Sequence, residues 1–400
     1  MNVNVESEDA MEMLKKQAAI IRKDDLYVCA VLEGQNLDDV IVDEVGDDSL
    51  KTGEIYLCKV SHVVKNINAA FVEVKKDIMC YLSLKEPGVK EEKICAGMEF
   101  PVQVKKAAVK SKQAVVSRKL EFSGKYAVVT THNLTKNIST KIKSSKRREE
   151  LEGVLGELKE EAFGIILRTN CEEAGREEIL AECRQLLSEA ASVAETAKTR
   201  VCFSRLYDSP MEFVKFLRDH KAGTLERIIT DDDECFQLLS ESAYFSGENI
   251  VYYEDSSYPL DKLLGISSKL QKAGAKHVWL KSGGSLVIEP TEALTVIDVN
   301  TEKAIAGKRS SETTFFKINT EAAREASRQI RIRNLSGIIL IDFIDMKDKA
   351  HINALLDELE NEFRKDSVRT TVVDITKLGL VEITRMKTRK PLAAFGKILR

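Results

Sequence analysis

The sequence is short of most features that would place a chain quickly. No apolar run approaches the roughly 20 residues that cross a bilayer, and the opening MNVNVESEDAMEMLKKQ is polar and acidic, unlike a secretory leader. There is no Walker-type phosphate loop, no GxSxG elbow and no GxGxxG turn. These absences exclude the common nucleotide-binding and serine-hydrolase constellations. The eight cysteines form no CxxC pair, and none follows Cys235. That pattern reads as reduced, buried thiols rather than a disulfide frame or zinc site, and it leaves the C-terminal region without a thiol ligand. Only five histidines are present, His62, His132, His220, His277 and His351, and they are scattered. Cleavage of RNA by a histidine pair acting through the ribose hydroxyl is therefore disfavoured. A cytoplasmic protein with no membrane partner is expected.

What is present points elsewhere. At 400 residues and 43% hydrophobic content, the chain can build more than one core, and two to four domains are expected. The net charge of −3 argues against nucleic acid, but local charge argues for it. Lys105, Lys106, Lys110, Lys112, Arg118 and Lys119 lie between Val104 and Leu120 with no acid among them. Lys141, Lys143, Lys146, Arg147 and Arg148 form a second cluster. Arg369, Lys377, Arg385, Lys387, Arg389 and Lys390 form a third. Each is either a solvated face or a track for a phosphate backbone; three in an acidic chain favour tracks.

Residues 25–43 read as two strands about a Glu-Gly-Gln-Asn turn. Residues 53–120 read as five short alternating strands, the pattern of a small closed barrel of the OB type. Phe71 and Tyr81 in those strands either stack on bases or fill the barrel core. A strand YAVVT, a basic helix from about Ser144, a strand FGIILRTN and helices near 172–198 and 210–220 follow. Asp231, Asp232, Asp233 and Glu234 stand between a strand and a helix, where an N-cap explains them better than a metal does. Beyond residue 276, the turn Lys-Ser-Gly-Gly joins KHVWL and SLVIEPT as a hairpin. ALTVIDVN and SGIILIDFIDM read as buried strands, and NTEAAREASRQIRIRNL as a helix capped by Asn319 or Thr320. A helix over about 347–365 and two further strands complete an α/β layer.

Two of these apolar strands end on an acid, Asp298 and Asp342. If the strands are neighbours, the carboxylates sit side by side and repel unless a cation lies between them. Magnesium suits such a pair, because it binds protein through one or two carboxylates and otherwise through water and phosphate. Asn300 is two residues from Asp298 and shares its face. Of Asp342 and Asp345, at most one faces the metal. The plainer reading of each strand-end aspartate is a turn or cap residue.

The ordered run from SGGSLVIEPTEALTVIDVNT through ETTFFKINTEAAREASRQIRIRNLSGIILIDFIDM to LGLVEITRMKTRKPL resembles the ribonuclease E/G family, as do GEIYLCKVSHVVKNINAAFVEV, YLSLKE and ILRT. The resemblance covers nearly all of residues 20–392. It implies a multidomain α/β plus β-barrel fold. An N-terminal extension, 1–18, precedes an RNase H-like subdomain, 19–48 with 221–275. An S1-type OB-fold barrel covers 49–124, a 5′-sensor region 125–220 and a DNase I-like catalytic domain 276–400. It implies Asp298 and Asp342 as Mg2+ ligands with Asn300 hydrogen-bonding at the site. Phe71, Tyr81 and Lys112 become RNA contacts, with Tyr81 where a Phe is familiar. Arg168, Thr169 and Arg369 become a pocket for a 5′-monophosphate, and Asp345 a structural acid. An arginine beside a hydroxyl is a good phosphate receptor, although Arg168 alone would read as a surface salt bridge.

Two departures stand out. The cysteine pair that links protomers through zinc in better-known members is missing after RKPL, so no zinc is expected and any homo-oligomer would lack that link. The stretch FFKIN between Glu312 and Glu321 reads as a loop one residue longer than the family's. The implied activity is Mg2+-dependent endoribonuclease cleavage of single-stranded, A/U-rich RNA to 5′-phosphate and 3′-hydroxyl ends, stimulated by a 5′-monophosphate, in RNA processing and decay. The alternatives are a family member that binds RNA without cutting it and, by fold analogy alone, a single-metal DNA nuclease.

Overall fold

Short runs of β-branched and apolar residues set the first strands: β1 (Gln17–Lys23), β2 (Leu26–Glu33) and β3 (Asn36–Glu44). β2 and β3 are the expected pair over 25–43. β1 is the strand the pattern does not reveal, because QAAIIRK is buried along most of its length and does not alternate. The computed structural model describes residues 16–46, 49–86, 93–108, 112–159, 162–219, 225–245, 249–301, 312–396 and 398. The chain divides into two units, Met1–Val45 with Gly223–Arg400, and Gly46–Ala222.

The second unit holds the barrel. β4 (Ile55–Val64), β5 (Ala69–Lys75), β6 (Ile78–Ser83), β7 (Glu99–Lys106) and β8 (Val115–Ser117) are the five strands read from the alternation. β7 pairs back onto β4, which closes the sheet and leaves no free edge between them. Every second residue points inward, so Val72, Cys80, Leu82, Val102 and Val116 are fully buried. A four-stranded sheet follows, built from β9 (Glu121–Ser123), β10 (Ala127–Thr130), β11 (Lys136–Ile138) and β12 (Gly164–Leu167) in the order β11-β12-β10-β9. Gly164 is required there: a Cβ would lie 1.5 Å from the carbonyl oxygen of Asn133. α1 (Ser145–Glu157) and α2 (Arg176–Thr199) pack on this sheet through Leu151, Ile179 and Leu186. Ser144 caps α1, accepting from the Arg147 amide. β13 (Arg205–Tyr207) adds to β4, and α3 (Glu212–Asp219) ends the unit.

The chain then returns to the first unit. β14 (Arg227–Thr230), α4 (Asp233–Glu241), β15 (Ile250–Tyr252), α5 (Leu260–Leu264) and α6 (Ile266–Ala273) complete a five-stranded sheet in the order β15-β14-β1-β2-β3. Asp232 caps α4 by accepting from the Cys235 amide at 2.8 Å, so this acidic run is a helix start. β16 (His277–Trp279) and β17 (Ser285–Pro290) form the expected hairpin. β18 (Leu294–Asn300), α7 (Glu312–Ile332), β19 (Gly337–Asp342), α8 (Lys349–Phe363), β20 (Thr370–Ile375) and β21 (Val381–Arg385) build a second sheet, ordered β16-β17-β18-β19-β21-β20. Among its pairings only β18 with β19 is parallel. One face of it is sealed by α7 and α8, where Ile297, Ile339, Ile341 and Ile383 meet Ala322, Ala326 and Leu359, all buried.

α7 corrects two expectations. Its helix does not start at Asn319 or Thr320, and the stretch between Glu312 and Glu321 is not a loop: both lie within a helix that is continuous from Glu312. The reason is tertiary. Asn319 is fully buried and its amide exchanges two hydrogen bonds with the backbone of Ile344, donating at 2.8 Å and accepting at 3.0 Å. Phe316 stacks on His351 at 4.5 Å. An asparagine satisfied from outside its helix need not cap it. Among the described residues, no helix is long and apolar enough to cross a membrane.

Candidate catalytic edge and RNA-binding faces

β18 and β19 run parallel and in register, Leu294 beside Ile338 through Asp298 beside Asp342. In each strand the residues preceding the acid alternate, so Ile297 and Ile341 enter the core while Asp298 and Asp342 face the open side. The two carboxylates are lateral neighbours at one end of the sheet, as the strand ends require if the strands are adjacent. Asn300 donates from Nδ2 to Asp298 Oδ2 at 2.7 Å, which fixes that carboxylate's orientation. Asp298 and Asn300 are half-buried, and Asp342 is exposed. Desolvation against the sheet, then the charge of Asp298, then that of Asp345, hold the Asp342 carboxyl above the usual carboxylate range. Like charges brought this close are what a bound cation relieves. Among the described residues no group of three His, Cys, Asp or Glu could hold a metal. The donor set here is two carboxylates and an amide, which fits Mg2+, an ion that keeps most of its water, better than zinc. Asp345 is exposed, just past the point where Asn319 pins the backbone.

The barrel offers a different surface. Phe71 on β5 stands directly across from Tyr81 on β6, their rings edge to face at 6.1 Å. Both are half-exposed while their strand neighbours Val72, Cys80 and Leu82 are buried. The core reading of these two rings is therefore excluded; they stand on the outer face. His62, which the sequence reading passed over, stacks on Phe71 at 4.9 Å and extends the patch to three rings. The signal for it is the pairing of β4 with β5, which sets His62 opposite Phe71 across a bulge. Lys112 is exposed just before β8; Lys110 lies outside the described residues.

Arg168 follows β12. Its Nη1 donates to Asp219 Oδ1 at 2.7 Å and to the Gly124 carbonyl at 2.5 Å. Burial would raise the Asp219 carboxyl, but Arg168 and Arg218 together hold it below its ordinary value. Thr169 opens a short 3-10 turn with its hydroxyl 3.2 Å from that of Ser139. Glu182 of α2 accepts from three successive backbone amides, Lys125 at 2.8 Å, Tyr126 at 2.6 Å and Ala127 at 2.9 Å. The loop that faces Arg168 is thus wrapped around a carboxylate. Gly124 permits this, since a Cβ would lie 2.3 Å from Glu182 Oε1. Neither Glu182 nor Asp219 has a local sequence signal, because each sits in an ordinary helix. Arg369 belongs to the other unit, exposed immediately before β20, its carbonyl accepting from Met386.

A model of the Ribonuclease E/G family matches residues 121–388. The chain belongs to the ribonuclease E/G family. Ribonuclease G of Escherichia coli K12 is 32% identical over 363 residues, which cover 85% of this chain and 73% of that protein. Ribonuclease G of Haemophilus influenzae is 32% identical over 361 residues, with the same shares. Ribonuclease E of Escherichia coli K12 is 29% identical over 380 residues, 90% of this chain but 35% of that protein. Membership makes the chain an enzyme, with the family's general endoribonuclease activity, the hydrolysis of phosphodiester bonds.

In this ribonuclease E/G chain the basic clusters are not simple phosphate tracks. Arg385 is 1% exposed at its side chain and paired with Asp366, also 1% exposed, at 2.7 Å. Arg147 and Arg148 donate to the backbone carbonyls of Ala174 and Ser139, sealing turns. Lys105 and Lys119 both pair with Glu121. Sequence counts charges without their partners, so the tracks were over-read at these positions.

Proposed function

We propose that this chain is a Mg2+-dependent endoribonuclease acting on single-stranded, A/U-rich RNA in the cytoplasm, in RNA processing and decay. The observation that supports it most is the parallel register that sets Asp298 beside Asp342 with Asn300 bonded to the first. Asp298 and Asp342 would hold the ion, and Asn300 would keep the Asp298 oxygen aimed. When bound there, Mg2+ supplies an activated water and neutralises charge on the phosphate. Attack of water on phosphorus with departure of the 3′ oxygen leaves 5′-phosphate and 3′-hydroxyl ends. Phe71 and Tyr81 offer faces on which bases stack, and Lys112 a charge for the backbone. Arg168 and Thr169 are the groups we assign to a 5′-monophosphate, whose charge exceeds that of an internal phosphodiester, and Arg369, on the other unit, is a phosphate contact considered by itself. In this reading the barrel is of the S1 type. The first unit combines an RNase H-like subdomain with a DNase I-like catalytic one, and residues 125–220 are the 5′-sensor region.

The test is cleavage of matched 5′-monophosphorylated and 5′-triphosphorylated single-stranded RNA, and of DNA, with Mg2+ or EDTA. Cutting of RNA only with the ion, and its loss in Asp298→Asn and Asp342→Asn, is the expected result. Equal cutting by wild type and both variants would remove the metal assignment. Binding without cutting would identify a family member that only binds RNA.

A further inference from the structure

The sheet that carries the carboxylates has one face sealed by helices and an opposite face that is half-buried to exposed, except at the fully buried Ser285. Register assigns residues to the open face strand by strand. His277 stands opposite Val287, Val287 opposite Asp298, and Asp298 beside Asp342, forming one row across four strands. Trp279 opposite Ser285, and Ser285 opposite Asn300, form the next row. Trp279 is the only tryptophan of the chain. It is 62% exposed, on the edge strand, while its neighbour Leu280 is buried in the core. At roughly 4.8 Å between strands, its backbone lies about 10 Å from that of Asn300.

The edge is held firmly. Glu321 of α7 accepts from the backbone amides of Lys281 and Ser282, at 2.6 and 3.1 Å, which fixes the turn directly after Trp279. Lys276, His277 and Lys281 around it are exposed, and Lys276 pairs with Glu289 across the hairpin. An indole is the largest aromatic surface a protein has, and leaving it in water forgoes the stabilisation that burial would bring. Here it is carried on a fixed strand, with Lys281 and the Glu289-paired Lys276 close in sequence, on the same face and in the same row as Asn300. A π-face beside positive charge takes a nucleobase whose phosphates run alongside.

We propose that Trp279 is a base-stacking subsite of the single-stranded RNA, receiving a nucleobase next to the phosphate that is cut. This rests on the endoribonuclease reading and adds a residue to it. Because Trp279 is the sole tryptophan, its fluorescence reports on the subsite directly. The Asp298→Asn protein is titrated with a mixed-sequence oligoribonucleotide, following Trp279 emission and, in parallel, the anisotropy of a label on the RNA. Quenching that tracks the anisotropy, and that disappears when abasic nucleotides replace the bases around one position, is expected. In the cutting protein, Trp279→Ala should raise KM about ten-fold, Trp279→Phe should recover most of it, and neither the Mg2+ midpoint nor Tm should move. Binding and cutting with unperturbed emission would overturn the subsite and leave the endoribonuclease reading standing. Emission that changes with protein concentration in the absence of RNA would overturn it in favour of a second copy on this edge strand. Neither binding nor cutting would overturn both readings together.

Discussion

The outer face of the barrel and the end of the β18–β19 ribbon are both proposed to meet RNA, yet they are built in opposite ways. On the barrel, Phe71, Tyr81 and His62 are neighbours through short antiparallel pairings, and the burial of Val72, Cys80 and Leu82 beside them leaves the rings of β5 and β6 on the outside. At the sheet end, Asp298 and Asp342 come from strands separated by a 21-residue helix, and only the parallel register joins them. The first surface is a cluster of three rings and brings no like charges together. The second places like charges together at a cost that the fold must absorb. Local pairing suffices to build the first surface, whereas the charge pair is assembled by long-range packing of α7 and α8 beneath it.

The largest break of that contrast is predicted at the carboxylates. Asp298→Asn or Asp342→Asn should lower kcat for RNA cleavage by about a thousand-fold, the scale of several kcal/mol of charge stabilisation. RNA affinity measured in EDTA should change little. Next in size is the support of the same sheet. Arg385→Met leaves Asp366 buried without its partner and should cost about 3–5 kcal/mol, read as a fall in Tm. Pairing it with Asp366→Leu should recover much of the loss.

On the barrel, Phe71→Ala and Tyr81→Ala should each weaken RNA binding about ten-fold without lowering Tm, since both rings stand outside the core. If either variant unfolds the barrel, the contrast between a binding face and a core fails. Arg168→Ala should abolish preference for a 5′-monophosphate, an effect of about ten-fold, while cutting of 5′-triphosphorylated RNA stays. Loss of both would place Arg168 in the fold rather than the pocket.

The smallest effect lies away from both surfaces. Burial raises the Asp39 carboxyl to about 6, against the opposing charge of Arg389 and the Val40 amide. A carboxyl raised on folding favours the folded state most while protonated, so stability falls as pH climbs from about 4 to 6 and then levels. Asp39→Asn should therefore match wild type near pH 4 and exceed it by a few degrees of Tm at pH 7.

Much of the fold is legible in the sequence because its signals are local. The five barrel strands follow from period-two alternation, the Ser144 and Asp232 caps from side chains that reach their own helix amides, and the β16–β17 hairpin from its glycine turn. Tertiary partners decided the rest. Asn319 looks like a cap and is a buried clamp on Ile344, because the backbone just after β19 satisfies its amide. Arg385 looks like a phosphate contact and is a buried ion pair. β1 shows no pattern because it is enclosed on both faces. For the site, sequence alone determined that two apolar strands end on aspartates with an asparagine in step. Only the tertiary structure decided that those strands are parallel neighbours, in register, with Trp279 on their open face. Register between distant strands is set by the packing of the helices between them, and no window of sequence contains it.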